Sequence, residues 1–367
     1  MIKSKETLGK YPYSTLTIVD PPLHGGGAMG MEYPTFITGM SFHGMPEGMR
    51  GVELVTIHEF GHQYFMGLLA SNEFEEPWLD EGFNSYFETR IMDHYYGEKN
   101  AVFDFWAYHM GNAEMQRNNY LSMSNPKIAE NFRSSWEFKH GGYGSLTYAK
   151  TATWMRTLEG LVGIETMNEI MKTYFERWKF KHPCATDFIA VVNEIVQKNL
   201  GDKFGENMNW FFDQVLYSSE ICDYKLAFVS NKKIKKKLGI FEDKDSWVVP
   251  DENEDSAEED DSTTYKSRVV IHRLGEVIMP LEILVHFENG DEKIETWDGK
   301  DRSFELNYEG TNKVEWAQID PEEKIYMDQN FINNSYTTKP VTTPQQKYGT
   351  LFLLWVQNVM QTVSMFI

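Results

Sequence analysis

The segment His58-Glu-Phe-Gly-His62, set in an apolar stretch that begins near Val52, constrains this chain more than any other feature. On an α-helix, residues four apart share a face. His58 and His62 can therefore present two imidazoles to one metal ion. Glu59, one position on, can reach a water at such a metal without being a ligand. This is the HExxH zinc signature. Eighteen residues separate His62 from Glu81, in Trp78-Leu-Asp-Glu-Gly-Phe83. That is enough to finish the first helix, turn, and bring back a second, antiparallel helix with Glu81 in its first turn. Two His and one Glu leave the fourth tetrahedral position for water, the arrangement of a catalytic site. The competing account makes His58 and His62 core histidines and Glu81 a helix-start carboxylate placed by the dipole. It buries many polar groups at a cost that nothing offsets. Glu88, seven residues after Glu81, falls on the same face. It either accepts a hydrogen bond from a ligand imidazole and fixes its tautomer, or is an ordinary surface glutamate.

The 367 residues are 41% hydrophobic and 25% charged, too apolar for a disordered chain and enough for two or three domains. Lys and Arg total 35 against 55 Asp and Glu, a formal charge of −20. A backbone-phosphate binder needs surplus cations, so nucleic acid is not the expected partner. Only Cys184 and Cys222 occur, which excludes a disulfide framework. Residues Glu242 to Asp261 hold eleven acids and one Lys, half the net charge. The run Asp251 to Asp261 has no apolar residue larger than Ala, so it reads as a solvated loop. It lacks the spaced ligands and turn Gly of a calcium loop. The upstream Lys232, Lys233, Lys235, Lys236 and Lys237 pair loosely with that loop or form a solvated strand edge.

Residues Leu16 to Val19 read as a strand stopped by Pro21 and Pro22, followed by a loop rich in Gly and Met from His24 to Gly51. Apolar spacing predicts helices around 52–70, 79–96, 100–118, 143–161, 165–178, 186–200 and 210–216. After Cys222 strands are predicted at 225–229, 281–287, 294–297, 304–306 and 314–317, with turns at Asn289-Gly290 and Asp298-Gly299. Short strands at regular turns argue a small β-sandwich. The expected class is α+β and multidomain: a mostly helical unit over 1–220, a β-sandwich over 221–335 with an acidic loop at 242–264, and a tail over 336–367. Residues Tyr348 to Ile367 carry no charge. The length fits a transmembrane helix, but three central amides favour a docked or interfacial one. Peripheral membrane contact through 348–367 is therefore an expectation. The N-terminus shows no signal-peptide pattern.

HEFGH, eighteen residues, then Glu within WLDEGF resembles the aminopeptidase N family of gluzincin zinc metallopeptidases. Gly30-Met-Glu-Tyr-Pro34 resembles that family's GxMEN motif, with Tyr33 in place of the usual Asn. Thr147-Tyr-Ala-Lys150 resembles the segment carrying the catalytic Tyr, with Thr151 where Gly is common. The resemblance covers roughly residues 10–335. It implies a thermolysin-like catalytic domain and one zinc held by His58, His62 and Glu81. Glu32 would bind the free α-amine of a peptide, with the backbone at Gly30 and Met31 along the substrate. Glu59 would be the general base and Tyr148 the donor to the oxyanion. The family usually carries a β domain of about two hundred residues before this point, so on this resemblance the chain reads as a fragment, and the missing subsites and compartment stay open.

Each implied role has a physical reason. A carboxylate fixed beside the metal pairs with the ammonium and lets the enzyme count from the amine end. An extended peptide can add to an edge strand near Thr35 to Thr38. For Glu32 the plain alternative is a loop carboxylate, and for Tyr148 a packing aromatic. Cys184 reads as a small residue at a helix start rather than a nucleophile. Met29, Met31, Met40, Met45 and Met49 read as packing rather than a subsite. Two rival functions stand beside the aminopeptidase: a gluzincin endopeptidase, which would not need Glu32, and a truncated, non-catalytic peptide-binding module.

Overall fold

The computed structural model describes residues 8–364 except 23, 42–43, 106–107, 124–127, 140, 235–240, 244–245, 249–262 and 341. The acidic run 251–261 and Lys235 to Lys237 lie outside the described residues.

The chain enters through β1 (Thr17–Val19), which pairs in parallel with β2 (Phe36–Thr38). The Gly- and Met-rich stretch therefore contains a strand. Thr38 is also bridged on its other side by Met31, so the edge expected near Thr35 to Thr38 is taken at Thr38. None of the five methionines there is fully buried.

Among the described residues, seven α-helices make the first, larger part: α1 (Gly51–Gly61), α2 (Glu81–Tyr96), α3 (Asn112–Leu121), α4 (Thr151–Val162), α5 (Ile164–Trp178), α6 (Ala185–Leu200) and α7 (Asn209–Val215). Their ends follow local chemistry. Gly97 and Gly163 stop α2 and α4 with positive φ, where a side chain would be strained. At the start of α6 the Cys184 N–H donates to the Asp187 carboxylate, so Cys184 sits at a helix start, as its sequence context suggests. Wide i→i+5 turns follow α1 at Phe65–Leu69 and precede α4 at Gly144–Lys150. Such turns are uncommon and cluster at functional sites.

One prediction fails here. Residues 100–118 are not one helix but a hairpin, β3 (Phe103–Phe105) and β4 (Tyr108–Met110), leading into α3. Phe103 bridges Met49, and the Asp104 N–H donates to the Gly48 carbonyl. Distant backbone partners thus convert an aromatic-rich segment to extended chain, as tertiary context can.

From Tyr224 the elements are strands. A three-stranded sheet has the order β11–β8–β5 (Ser303–Gly310, Tyr265–Arg273, Tyr224–Lys233). A four-stranded sheet has the order β10–β9–β12–β13 (Glu292–Trp297, Leu281–Phe287, Val314–Ile319, Ser335–Thr337). Strands β6 (Phe241–Asp243) and β7 (Ser246–Val248) pair antiparallel as a two-stranded sheet of their own among the described residues. Strand β9 alternates strictly, with Leu281, Ile283, Val285 and Phe287 buried, the pattern of one face on a core. The central strand β8 was not predicted. It contains Lys266, Arg268, His272 and Arg273, yet Arg273 is buried. Its guanidinium donates to the carbonyls of Gly299, Gly275, Glu276 and Lys300, which offsets the burial. A continuous hydrophobic core joins the two parts, from Trp78, Trp154 and Phe212 to Tyr224, Ile271 and Val285.

The tail forms α8 (Thr343–Ser364). Its described side chains are exposed except Val356, which is half-buried, so it is not docked against the described body. No helix among the described residues is long and apolar enough to cross a membrane.

Candidate metal centre

α1 and α2 cross with opposite sense, which the contacts themselves reveal. His58 meets Glu88, Gly61 meets Asn84, and His62 meets Asp80. Rising numbers on one helix match falling numbers on the other. Small residues permit the approach. A Cβ on Gly61 would lie 1.7 Å from the Asn84 Oδ1, and one on Gly82 would lie 2.2 Å from Thr151 Cγ2. Asn84 uses the closeness, donating from Nδ2 to the His58 carbonyl at 2.7 Å.

Three donor atoms converge. Glu81 Oε2 lies 3.2 Å from His58 Nε2 and 3.2 Å from His62 Nε2, and the two Nε2 atoms are 3.1 Å apart. His58, His62 and Glu81 can thus hold one metal ion. Bonds of about 2.0–2.1 Å in a tetrahedron place ligands about 3.3 Å apart, which these separations match. Each ring's other nitrogen donates to a carboxylate: His58 Nδ1 to Glu88 at 2.8 Å, and His62 Nδ1 to Asp80 at 2.7 Å. That leaves both Nε2 lone pairs facing each other, an arrangement a shared cation satisfies.

Electrostatics agree. Burial alone would lower the His58 pKa, but hydrogen bonds to Glu81 and Glu88 outweigh it and lift it to about 9. Burial opposes protonation of His62 as well, and Asp80 and Glu81 hold its pKa well above the ordinary value. Burial would raise Glu81, yet its bonds to the two rings hold it far below the usual carboxylate range. With Glu59, Asp80, Glu81 and Glu88 gathered around two imidazoles, the pocket attracts positive charge.

Glu59 is buried, and its Oε2 has no hydrogen-bond partner among the described residues. Burial, aided by Glu32 and Glu81, pushes its pKa up to about 7 against the pull of His58 and His62. Gly30 lies over it, since a Cβ there would sit 3.3 Å from Glu59 Oε1. The phenol of Tyr148, carried by the wide turn Gly144–Lys150, stacks on His58 with centroids 5.6 Å apart. Burial and the neighbouring Glu81 push its pKa far above the usual phenol range, so it stays a donor. Glu32 is half-buried and its charge is felt by Glu59 and Asp80. Met31 has its N–H bonded to Thr38 Oγ1 at 3.0 Å and its carbonyl to the Thr38 N–H at 2.9 Å. Only its side chain and a carbonyl lone pair remain free.

The structure thus gathers His58, Glu59, His62, Glu81, Glu88 and Tyr148, with Gly30 and Glu32 at the border. Three contributors escaped the sequence reading. Asp80 stands beside Glu81 and could have been found as the second carboxylate of the WLDEGF turn. Asn84 gave no signal. Gln63 follows the second His and ties down the Glu32 loop: its Nε2 donates to the carbonyls of Glu32 and Tyr33 at 3.2 and 3.1 Å, and its Oε1 accepts from the Thr35 N–H at 2.8 Å.

The fold is similar to that of an aminopeptidase A from Legionella pneumophila, solved in complex with aspartic acid, with a TM-score of 0.54 and 15% identity over 89% of this chain and 33% of that one. In sequence, the human aminopeptidase Q is 22% identical over 210 residues, 54% of this chain and 21% of that protein. Leucine aminopeptidase 2 of Emericella nidulans is 25% identical over 208 residues, 54% of this chain and 32% of that protein. The chain thus spans a third or less of the length of these relatives. The family model described as the peptidase family M1 domain matches residues 3–214. That stretch is more than half the chain and holds every residue of the cluster, so the chain belongs to peptidase family M1.

Proposed function

We propose that the chain is the catalytic part of a zinc aminopeptidase that removes the first residue from peptides. The observation that carries this reading is the convergence of His58 Nε2, His62 Nε2 and Glu81 Oε2 within 3.2 Å of one another, beside a buried carboxylate without a partner. A zinc ion held by those atoms would supply Lewis acidity, polarising the scissile carbonyl and acidifying a water. Glu59 takes a proton from the attacking water at Oε2 and returns it to the departing amine nitrogen, a role suited to a pKa near the working pH. The Tyr148 hydroxyl donates to the oxygen on which negative charge develops. Glu32 pairs with the substrate's α-ammonium and so fixes which bond lies at the reacting centre. Gln63 keeps that loop in register, and Gly30 leaves room between it and Glu59. Glu88 and Asp80 hold the ligand rings in one tautomer.

We assign the catalytic unit to 1–220, the sandwich to 221–335 and a separate tail to 336–367. The exposed α8, which carries no charge after Lys347, belongs at a lipid surface. Flotation of the chain with vesicles of neutral lipid, lost on deletion of 343–367, tests that assignment.

The exopeptidase reading is tested with Glu32→Ala. Turnover of aminoacyl reporters should fall by roughly a hundredfold or more, the scale of a lost charge-assisted bond in positioning, while about one zinc per chain stays bound. Faster cleavage of N-blocked peptides than of free ones by the unaltered chain would favour an endopeptidase instead. Absence of tightly held metal would favour a binding module.

A further inference from the structure

A cavity of about 520 Å³ opens beside Tyr148, running from His58 and Glu59 to α3. Its walls include Leu54 and Val55 from α1, Gln116 and Asn119 from α3, and Ser145. Its place along α1 is informative. Leu54 and Val55 precede His58 by one turn, whereas Gln63, which holds the Glu32 loop, follows His62. The eight positions from Leu54 to His62 span about 12 Å on a helix. Glu32 is not among the cavity walls. Cavity and amine anchor therefore stand at opposite ends of the ligand row. A peptide with its ammonium at Glu32 and its first carbonyl at the ligands must direct its second residue into this cavity.

Apart from Glu59, whose unpartnered Oε2 is the proposed base, the free hydrogen-bonding capacity of the cavity is uncharged. Gln116 is only 8% exposed, lines the cavity, and makes no side-chain hydrogen bond among the described residues. Ser85 is fully buried at the wall and its Oγ is also without a partner. The carboxylate of Glu88 is engaged, accepting from His58 Nδ1 and from Asn112 Nδ2. We propose that this cavity binds the second residue of the substrate and that Gln116 selects a polar, uncharged side chain there, such as glutamine, asparagine or serine. The proposal rests on the exopeptidase reading above. An apolar second residue would leave the Gln116 carboxamide dry and unpaired, and an acidic one would meet the field of Glu59 and Glu88.

The test uses the zinc-loaded full chain and dipeptide amides sharing one accepted first residue, with Gln, Leu, Glu or Lys second. Expected is a kcat/KM for Gln about fivefold above that for Leu, the scale of one neutral hydrogen bond, with Glu lower still. In Gln116→Leu the Gln-to-Leu ratio should drop to about one or below. The ratio is taken within one preparation, so partial loss of folded protein cancels. Equal rates for Gln and Leu, an unchanged ratio in the variant, or a preference for Lys over Gln each overturns the assignment. An aminoacyl anilide has no second side chain. Its turnover alongside flat dipeptide ratios sinks the cavity assignment alone, whereas failure to turn over either kind of substrate sinks the exopeptidase reading and this inference with it.

Discussion

At the residue scale, the carboxylates behind the rings set how protons and metal compete. His58 titrates at about 9 when protons are its only cations, because Glu81 and Glu88 outweigh its burial, and His62 is raised likewise. Loading with zinc at pH 7.5 should therefore release close to two protons. Titration calorimetry in buffers of differing ionisation enthalpy measures that number; a value near zero would contradict the pairing. The same shift sets the stability of the metal-free protein. A pKa raised from 6.5 to about 9 contributes stability that is fully present below about 6.5 and lost as pH rises through 9. That is about 3 kcal/mol from this group, so the melting temperature of chelator-treated protein should fall between pH 6.5 and 9.5. Glu59 is raised to about 7 and must be unprotonated to act as a base. The acid limb of kcat/KM should therefore have an apparent pKa at or below about 7, since a bound dication favours the carboxylate. Glu59→Gln should keep the metal and lose about 10²- to 10⁴-fold in kcat.

At the element scale, the site depends on backbones that come unusually close. Gly82, the second residue of α2, packs against the wide turn that carries Tyr148: a Cβ there would lie 2.2 Å from Thr151 Cγ2 and 2.6 Å from the Thr147 carbonyl oxygen. Lys150 closes that turn, its buried ammonium donating to the carbonyls of Ala129 and Ser218. Gly82→Ala should cost about 1–3 kcal/mol by overpacking and lower kcat more than it raises KM, because it displaces the Tyr148 turn. A variant with ordinary kcat and a lowered melting temperature would show that Tyr148 does not depend on this contact. The helix predicted over 100–118 fails at this scale, because pairing with the backbone at Gly48 and Met49 holds Phe103–Phe105 extended.

At the scale of the whole molecule, the strand-rich part braces the cleft wall. Arg117 lies on α3, next to Gln116, and reaches across to the sandwich side. Its Nε donates to the Tyr326 carbonyl at 3.1 Å, its Nη2 donates to the Asp328 carbonyl, and its guanidinium lies 3.9 Å from the Phe331 ring centre. Thr157 accepts from the Met327 N–H nearby. Arg117→Met should destabilise the protein by about 2–3 kcal/mol through two unpaired carbonyls and the lost ring contact. It should also weaken selection at the second substrate residue through the loosened α3. An unchanged melting temperature would mean that the two parts do not rely on this bracket.

The amino-acid sequence by itself determined the broad architecture and pointed to His58, His62 and Glu81 as a group that could hold a metal, because each is written in local spacing. Histidines four apart must share a helical face, Glu81 opens the next helix, and β9 alternates with a period of two. Tertiary structure decided what spacing cannot encode: that Asp80 rather than a more distant group backs His62, that Gln63 rather than loop chemistry fixes Glu32, and that a strand as charged as β8 lies at the centre of its sheet. In each case the deciding partner is a backbone carbonyl, a carboxylate or a ring brought near by packing. Such partners lie at sequence separations where the chain's own periodicity carries no information.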